Sequence, residues 1–91
     1  MNRRSTIRVE FYGIPRLRAK RPALDVEAET VREALQQTVQ VLPGLADCCT
    51  PDGGLRSGYL LSIDGVRFIS DVTQELRPGQ TLLLLSRDAG G

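Results

Sequence analysis

The chain contains no histidine, which removes the side chain that titrates near neutrality and most often serves as general base or metal ligand. No paired carboxylates and no nucleophile–base arrangement take its place, so the sequence offers no catalytic constellation of its own. Cysteine occurs twice, as the neighbours Cys48 and Cys49. Adjacent residues rarely reach disulfide geometry without strain, so no covalent staple is expected. The pair also falls short of the ligand set of a structural zinc or iron–sulfur site. Both cysteines read as small apolar residues in or under a loop. Aromatics make up 4% of the chain, too few near the basic segment for a nucleic-acid stacking platform. No apolar run approaches the ~20 residues of a membrane span. No apolar signal core follows Met1-Asn2-Arg3-Arg4-Ser5, so a cytoplasmic protein without membrane or nucleic-acid partners is expected.

What is present fits a single domain spanning residues 1–91. The chain is 41% hydrophobic and 25% charged, ordinary for a soluble globular domain. Its net charge of +1 hides an asymmetry. Residues 1–21 carry seven basic side chains against the single acid Glu10, a net of +6, while the remainder carries five basic and ten acidic ones, a net of −5. Such a separation can steer an acidic partner or a polyphosphate.

Patterning supplies the elements. Ile7, Val9 and Phe11 alternate with Arg8, Glu10 and Tyr12, the period of a strand with one buried face. Pro15 and Pro22 bracket a basic connection, Arg16 to Arg21, expected to be a turn. Leu24, Val26 and Ala28 resume the alternation, so the two segments form a first hairpin. Thr30-Val31-Arg32-Glu33 has capping-box spacing. Behind it Val31, Ala34, Leu35, Thr38, Val39 and Leu42 fall on one helical stripe, which Pro43 ends by Leu42. A glycine-rich connection from Gly44 to Gly58 is expected to carry a short helical turn around Leu45 to Cys49. Tyr59 to Ile63 and Val66 to Ile69 flank Asp64-Gly65, a hairpin turn signal. Thr81 to Ser86 is the last strand.

Two strands, a crossing helix and further strands predict an α+β fold of the β-grasp (ubiquitin-like) kind. Its mixed sheet has four to five strands, with one main helix across one face. In that arrangement the first and last strands pair in parallel at the centre, and the basic segment flanks the root of whatever follows the last strand. Leu82-Leu83-Leu84-Leu85 is apolar on both faces, whereas a strand with one covered face should alternate. If Leu82 and Leu84 face the helix, Leu83 and Leu85 form a partner patch.

The last residues are Gly90-Gly91, an ending that arises by chance in roughly one chain in 200, so its weight comes from the domain that carries it. Leu42-Pro43-Gly44-Leu45 after the helix, the Ile63-Asp64-Gly65 hairpin and Ala89-Gly90-Gly91 together resemble the ubiquitin-fold sulfur carriers. The small subunit of molybdopterin synthase and its relatives (the MoaD/ThiS family) are the most similar of these. The resemblance runs from Ile7 to Gly91, and departs from the family where an apolar, proline-containing approach to the diglycine is replaced by Ser86-Arg87-Asp88.

This resemblance implies a carrier and substrate protein, not an enzyme, with no cofactor of its own. An ATP-dependent activating enzyme, using ATP and magnesium, adenylates the Gly91 carboxylate. A sulfur donor then converts it to a thiocarboxylate, and a synthase or other acceptor enzyme takes the sulfur. Gly90 threads the enzyme's narrow channel beside Gly91, because glycine lacks a Cβ. Residues 87–91 are expected as a flexible tail, with Arg87, Asp88 and Ala89 joining Leu83 and Leu85 in partner contact. The alternative is a protein modifier joined to target lysines through Gly91. The single lysine of the chain, Lys20, suits a tag that does not modify itself.

Overall fold

The computed structural model describes residues 5–87. Alternation produces the first strand, β1 (Ser5–Tyr12), which buries Ile7, Val9 and Phe11 completely and turns Arg8, Glu10 and Tyr12 to the opposite face. Its antiparallel partner is β2 (Ala23–Ala28), with Val9 opposite Leu24 and Ile7 opposite Val26. The two strands pair as the alternation requires, but the connection between them is not the expected bare turn. Ile14–Ala19 forms a short helix, α1, entered through Gly13 at φ 68° and left through Lys20 at φ 59°. Pro15 lies at the start of this helix, where its fixed φ is already helical and its missing N–H costs nothing. Pro15 and Ala19, one turn apart, are the buried side.

The main helix, α2 (Val31–Val41), begins as its capping residues dictate. The Thr30 hydroxyl accepts from the Glu33 amide at 3.2 Å. The Glu33 carboxylate reaches back one residue beyond the cap, accepting from the Glu29 amide at 2.7 Å. Two further amides of the first turn, of Val31 and Arg32, donate to the carbonyls of Gln74 and Val72. The helix start is thereby tied to the loop before the last strand, a connection that leaves no trace in local sequence. Val31, Ala34, Leu35 and Thr38 face the sheet. A 3-10 helix follows at Pro43–Cys48, starting two residues and ending one residue ahead of the expected short turn. Gly44 lies so close to α1 that a Cβ there would stand 3.2 Å from the Arg18 carbonyl oxygen.

Strands β3 (Tyr59–Ile63) and β4 (Arg67–Ile69) form a hairpin. Asp64 and Gly65 both have positive φ, 57° and 70°, as a tight hairpin turn requires. Ile63 pairs with Arg67, so Val66 is an extra residue in the connection and β4 starts one residue later than its pattern implied. The last strand, β5 (Thr81–Ser86), enters the middle of the sheet, whose order is β2-β1-β5-β3-β4. It pairs in parallel with β1, from Arg8 opposite Thr81 to Tyr12 opposite Leu85, and antiparallel with β3. Leu82 and Leu84 meet Val9, Phe11, Leu35 and Leu61 in one core between α2 and the sheet.

Candidate functional site

The face of the sheet away from α2 carries no helix, and its composition follows from the strand registers. Leu83 lies between Glu10 of β1 and Ser62 of β3, with Phe68 of β4 beyond Ser62. One pleat further on, Leu85 lies between Tyr12 and Leu60. An apolar band therefore crosses the sheet at the end where β5 finishes. Leu82 and Leu84 are buried on the other side, as the alternation of the leucine run requires. Leu83 is half-buried.

Leu85 corrects the expectation of an open leucine pair, since it is only 8% exposed. A residue on a central strand has a cross-strand neighbour on each side within about 5 Å, and here those neighbours are the large side chains Tyr12 and Leu60. The exposed apolar surface lies instead on Tyr12, at 41%, and on Phe68, at 60%, with Val66 at the hairpin tip. Neither Tyr12, Leu60 nor Phe68 was marked by the leucine run. Tyr12 was nevertheless legible, since it falls in phase with the outward Arg8 and Glu10.

A polar chain edges the band along β1. Arg8 Nε donates to Glu10 at 2.9 Å and the Tyr12 hydroxyl donates to the same carboxylate at 2.6 Å. The Tyr12 hydrogen bond, followed by that of Arg8, holds the Glu10 carboxyl below its ordinary pKa, and the same bond raises that of the Tyr12 phenol. A shallow hollow of about 280 Å³ between Glu10, Leu83 and Thr81 marks the other end of this row.

At the end of β5 the chain is still fastened to the body. The Arg87 amide donates to the Gly58 carbonyl at 3.0 Å, and its guanidinium donates to the Ser57 carbonyl. The tail expected from residue 87 therefore does not include Arg87, whose partners lie in the loop preceding β3. Asp88, Ala89, Gly90 and Gly91 lie outside the described residues. Helix α1 packs against this same corner, with the Ile14 amide donating to the Ser86 hydroxyl at 3.3 Å. The basic segment thus flanks the end of the last strand, as the parallel pairing of β1 and β5 requires. On its far side Arg18 pairs with Asp47 at 2.7 Å, which closes α1 onto the 3-10 helix.

The cysteines stand apart from this surface. Cys48 is fully buried and Cys49 half-buried, both as free thiols. Burial pushes both thiols above their ordinary pKa, the Tyr59 hydroxyl opposing this in part at Cys48. Among the described residues no group of three histidine, cysteine or carboxylate side chains could hold a metal ion. None of their helices is long and apolar enough to cross a membrane. What the geometry assembles is an apolar band with a charged edge, next to the end of the central strand.

No protein-family model matches the chain, and no curated protein matches it by sequence. Solved structures do match in shape. The small archaeal modifier protein 1 of Methanosarcina acetivorans superposes with a TM-score of 0.83 at 18% identity, over 99% of this chain and 100% of that one. A chain of the Amycolatopsis orientalis BexX/CysO complex gives 0.75 at 15% identity, over 88% and 93%. Urm1 of Trypanosoma brucei gives 0.60 at 22% identity, over 94% and 95%. At such identities it is backbone architecture that is shared, and the chain has the ubiquitin-like β-grasp fold.

Proposed function

We propose that the protein is a sulfur carrier whose reactive group is the C-terminal carboxylate of Gly91. The observation that carries this reading is the position of the end of β5. It lies in the centre of the sheet, beside an apolar face on which a processing enzyme can sit. The four residues beyond Arg87 reach at most about 14 Å when extended, a length suited to an active site set back from the docking surface. A carboxylate is a poor acyl donor until one oxygen becomes a good leaving group. In the activating enzyme a Gly91 carboxylate oxygen attacks the α-phosphorus of ATP and displaces pyrophosphate. Hydrosulfide, or an equivalent sulfur nucleophile from the donor, then attacks the acyl carbon and AMP departs. In the acceptor enzyme of a biosynthetic pathway the thiocarboxylate sulfur attacks the precursor, and water cleaves the acyl–sulfur bond, leaving the sulfur on the product and restoring the carboxylate. Beyond the terminal carboxylate itself, the carrier supplies no group to this chemistry. Tyr12, Leu83 and Phe68 dock the partner, while Gly90 and Gly91 pass into its channel without a Cβ to obstruct them.

The test is incubation of the intact chain with ATP, magnesium, sulfide and a candidate activating enzyme, read by intact mass. Replacement of one oxygen by sulfur adds about 16 Da. This gain is expected for the full chain and not after deletion of Gly90 and Gly91. A pathway that runs normally with the deleted form would remove the reading.

The likeness to a protein described as a modifier favours a second reading, in which Gly91 is joined to lysines of other proteins. The activated acyl group is the same, and the nucleophile differs. Asp-Ala-Gly-Gly remnants on lysines of other proteins, left when trypsin cuts after Arg87, distinguish it, since a carrier leaves none.

A further inference from the structure

Helix α1 has one buried side, formed by Pro15 and Ala19. At 100° per residue the position diametrically opposite them is Leu17, and Leu17 is 74% exposed. Arg16 and Lys20 lie on one flank of that leucine and Arg18 on the other, with Arg21 just beyond, all of them exposed. No acid occurs in the helix. Arg18 is paired with Asp47, whereas Arg16 and Lys20 form no ion pair among the described residues. Ile14, 40% exposed, lies at the N-terminal end of the same surface, next to Ser86.

We propose that α1 is a second docking surface, built around Leu17 and the exposed Arg16 and Lys20, that recognises an acidic surface with an apolar centre on the enzyme that processes the C-terminus. The identity of that partner rests on the carrier reading; its chemistry rests on α1 alone. An apolar apex flanked by the guanidinium groups of Arg16 and Arg18 matches the enrichment of arginine at protein interfaces. A nucleic-acid strand would instead call for several exposed stacking rings, whereas of the two tyrosines near α1 Tyr59 is half-buried beside Cys48 and Tyr12 is 41% exposed. The cluster of Arg16, Arg18, Lys20 and Arg21 orients the approach: a partner of negative potential meets it first, next to the end of β5.

Two measurements test the inference and keep its failure separate from that of the carrier reading. In the first, the isotopically labelled full chain is titrated, with nuclear magnetic resonance detection, against an amphipathic helical peptide of glutamate and leucine. A single-stranded DNA oligonucleotide of equal charge is titrated in parallel. The peptide should shift residues 12–21 saturably, at least tenfold more tightly than the oligonucleotide. The double variant Arg16→Glu, Leu17→Ser should weaken it at least fivefold, whereas Arg77→Glu, the same charge change at the opposite end of β5, should not. Absent or scattered shifts, or tighter binding of the oligonucleotide, would overturn the proposal. Circular dichroism of the variants confirms that these exposed substitutions leave the fold intact.

In the second, with an enzyme that adenylates the unmodified chain, the double variant should raise KM about tenfold at 50 mM salt and leave kcat in place. At 300 mM salt the two proteins should converge. An unchanged KM at low salt would sink the assignment of α1 to that enzyme. Failure of every candidate enzyme to adenylate the unmodified chain would remove the carrier reading instead, and the peptide titration would still decide whether α1 binds acidic protein surfaces.

Discussion

Single residues decide how the outward face of β1 responds to pH. Glu10 accepts from both Tyr12 and Arg8, and its carboxyl is held below the ordinary value. A depressed folded-state pKa means stability that is present above the unfolded value, near 4.5, and lost as pH falls through the folded one. Asp52 and Asp71 act in the same direction, each lowered chiefly by a threonine hydroxyl two residues away. Urea unfolding between pH 6 and pH 3 should therefore show stability falling on the acid side. Glu10→Gln should flatten part of that fall and cost no more than about 1 kcal/mol at neutral pH, because the pair lies at the surface. An acid limb identical in the two proteins would exclude Glu10 from it. This trio was half legible in the sequence. Period two puts positions 8, 10 and 12 on one face, but which of them bond there depends on side-chain geometry.

Elements are secured at their ends by residues of opposite legibility. The capping box at Thr30 was readable because a cap is a contact over three residues. Thr30→Ala should cost about 1 kcal/mol, seen as a lower urea midpoint at unchanged slope. The helix should still form, since the Val31 and Arg32 amides retain the carbonyls of Gln74 and Val72. Gly44 was not readable in this way. Its need arises from α1, since a Cβ would stand 3.2 Å from a backbone oxygen that cannot rotate aside. Gly44→Ala should destabilise by about 1–3 kcal/mol through overpacking. It should also separate α1 from the 3-10 helix, which faster amide hydrogen exchange at Leu17 and Lys20 would report. Both amides donate within α1, to the Gly13 and Arg16 carbonyls. Unchanged exchange with unchanged stability would mean that the loop simply shifts.

At the scale of the molecule, consecutive leucines of one strand serve different ends. Leu84 is buried under α2 in the central strand, and Leu84→Ala should cost about 2–5 kcal/mol. Leu83 is half-buried on the helix-free face. Leu83→Asp should cost far less stability and, under the proposed carrier function, should abolish thiocarboxylate formation by an activating enzyme. Thermal melts and intact mass on the same two variants separate the roles. Equal destabilisation would place both leucines in the core, and full conversion of Leu83→Asp would remove this face from docking.

What the sequence determined by itself was everything set by neighbours along the chain. It specified which segments are strands, where α2 starts and stops, the turn at Asp64-Gly65 and the alternation that divides Leu82 and Leu84 from Leu83. Only the tertiary structure decided which strands lie side by side, and that pairing explains why Leu85 is covered by Tyr12 and Leu60 while Phe68 is left open. It likewise decided that the basic connection becomes a helix, because α1 gains its buried side, Pro15 and Ala19, only when β1, β5 and the 3-10 helix pack against it. The physical reason is the range of the interactions. Capping, turn geometry and alternation act over two to four residues, whereas coverage of a side chain is settled by groups up to seventy residues away.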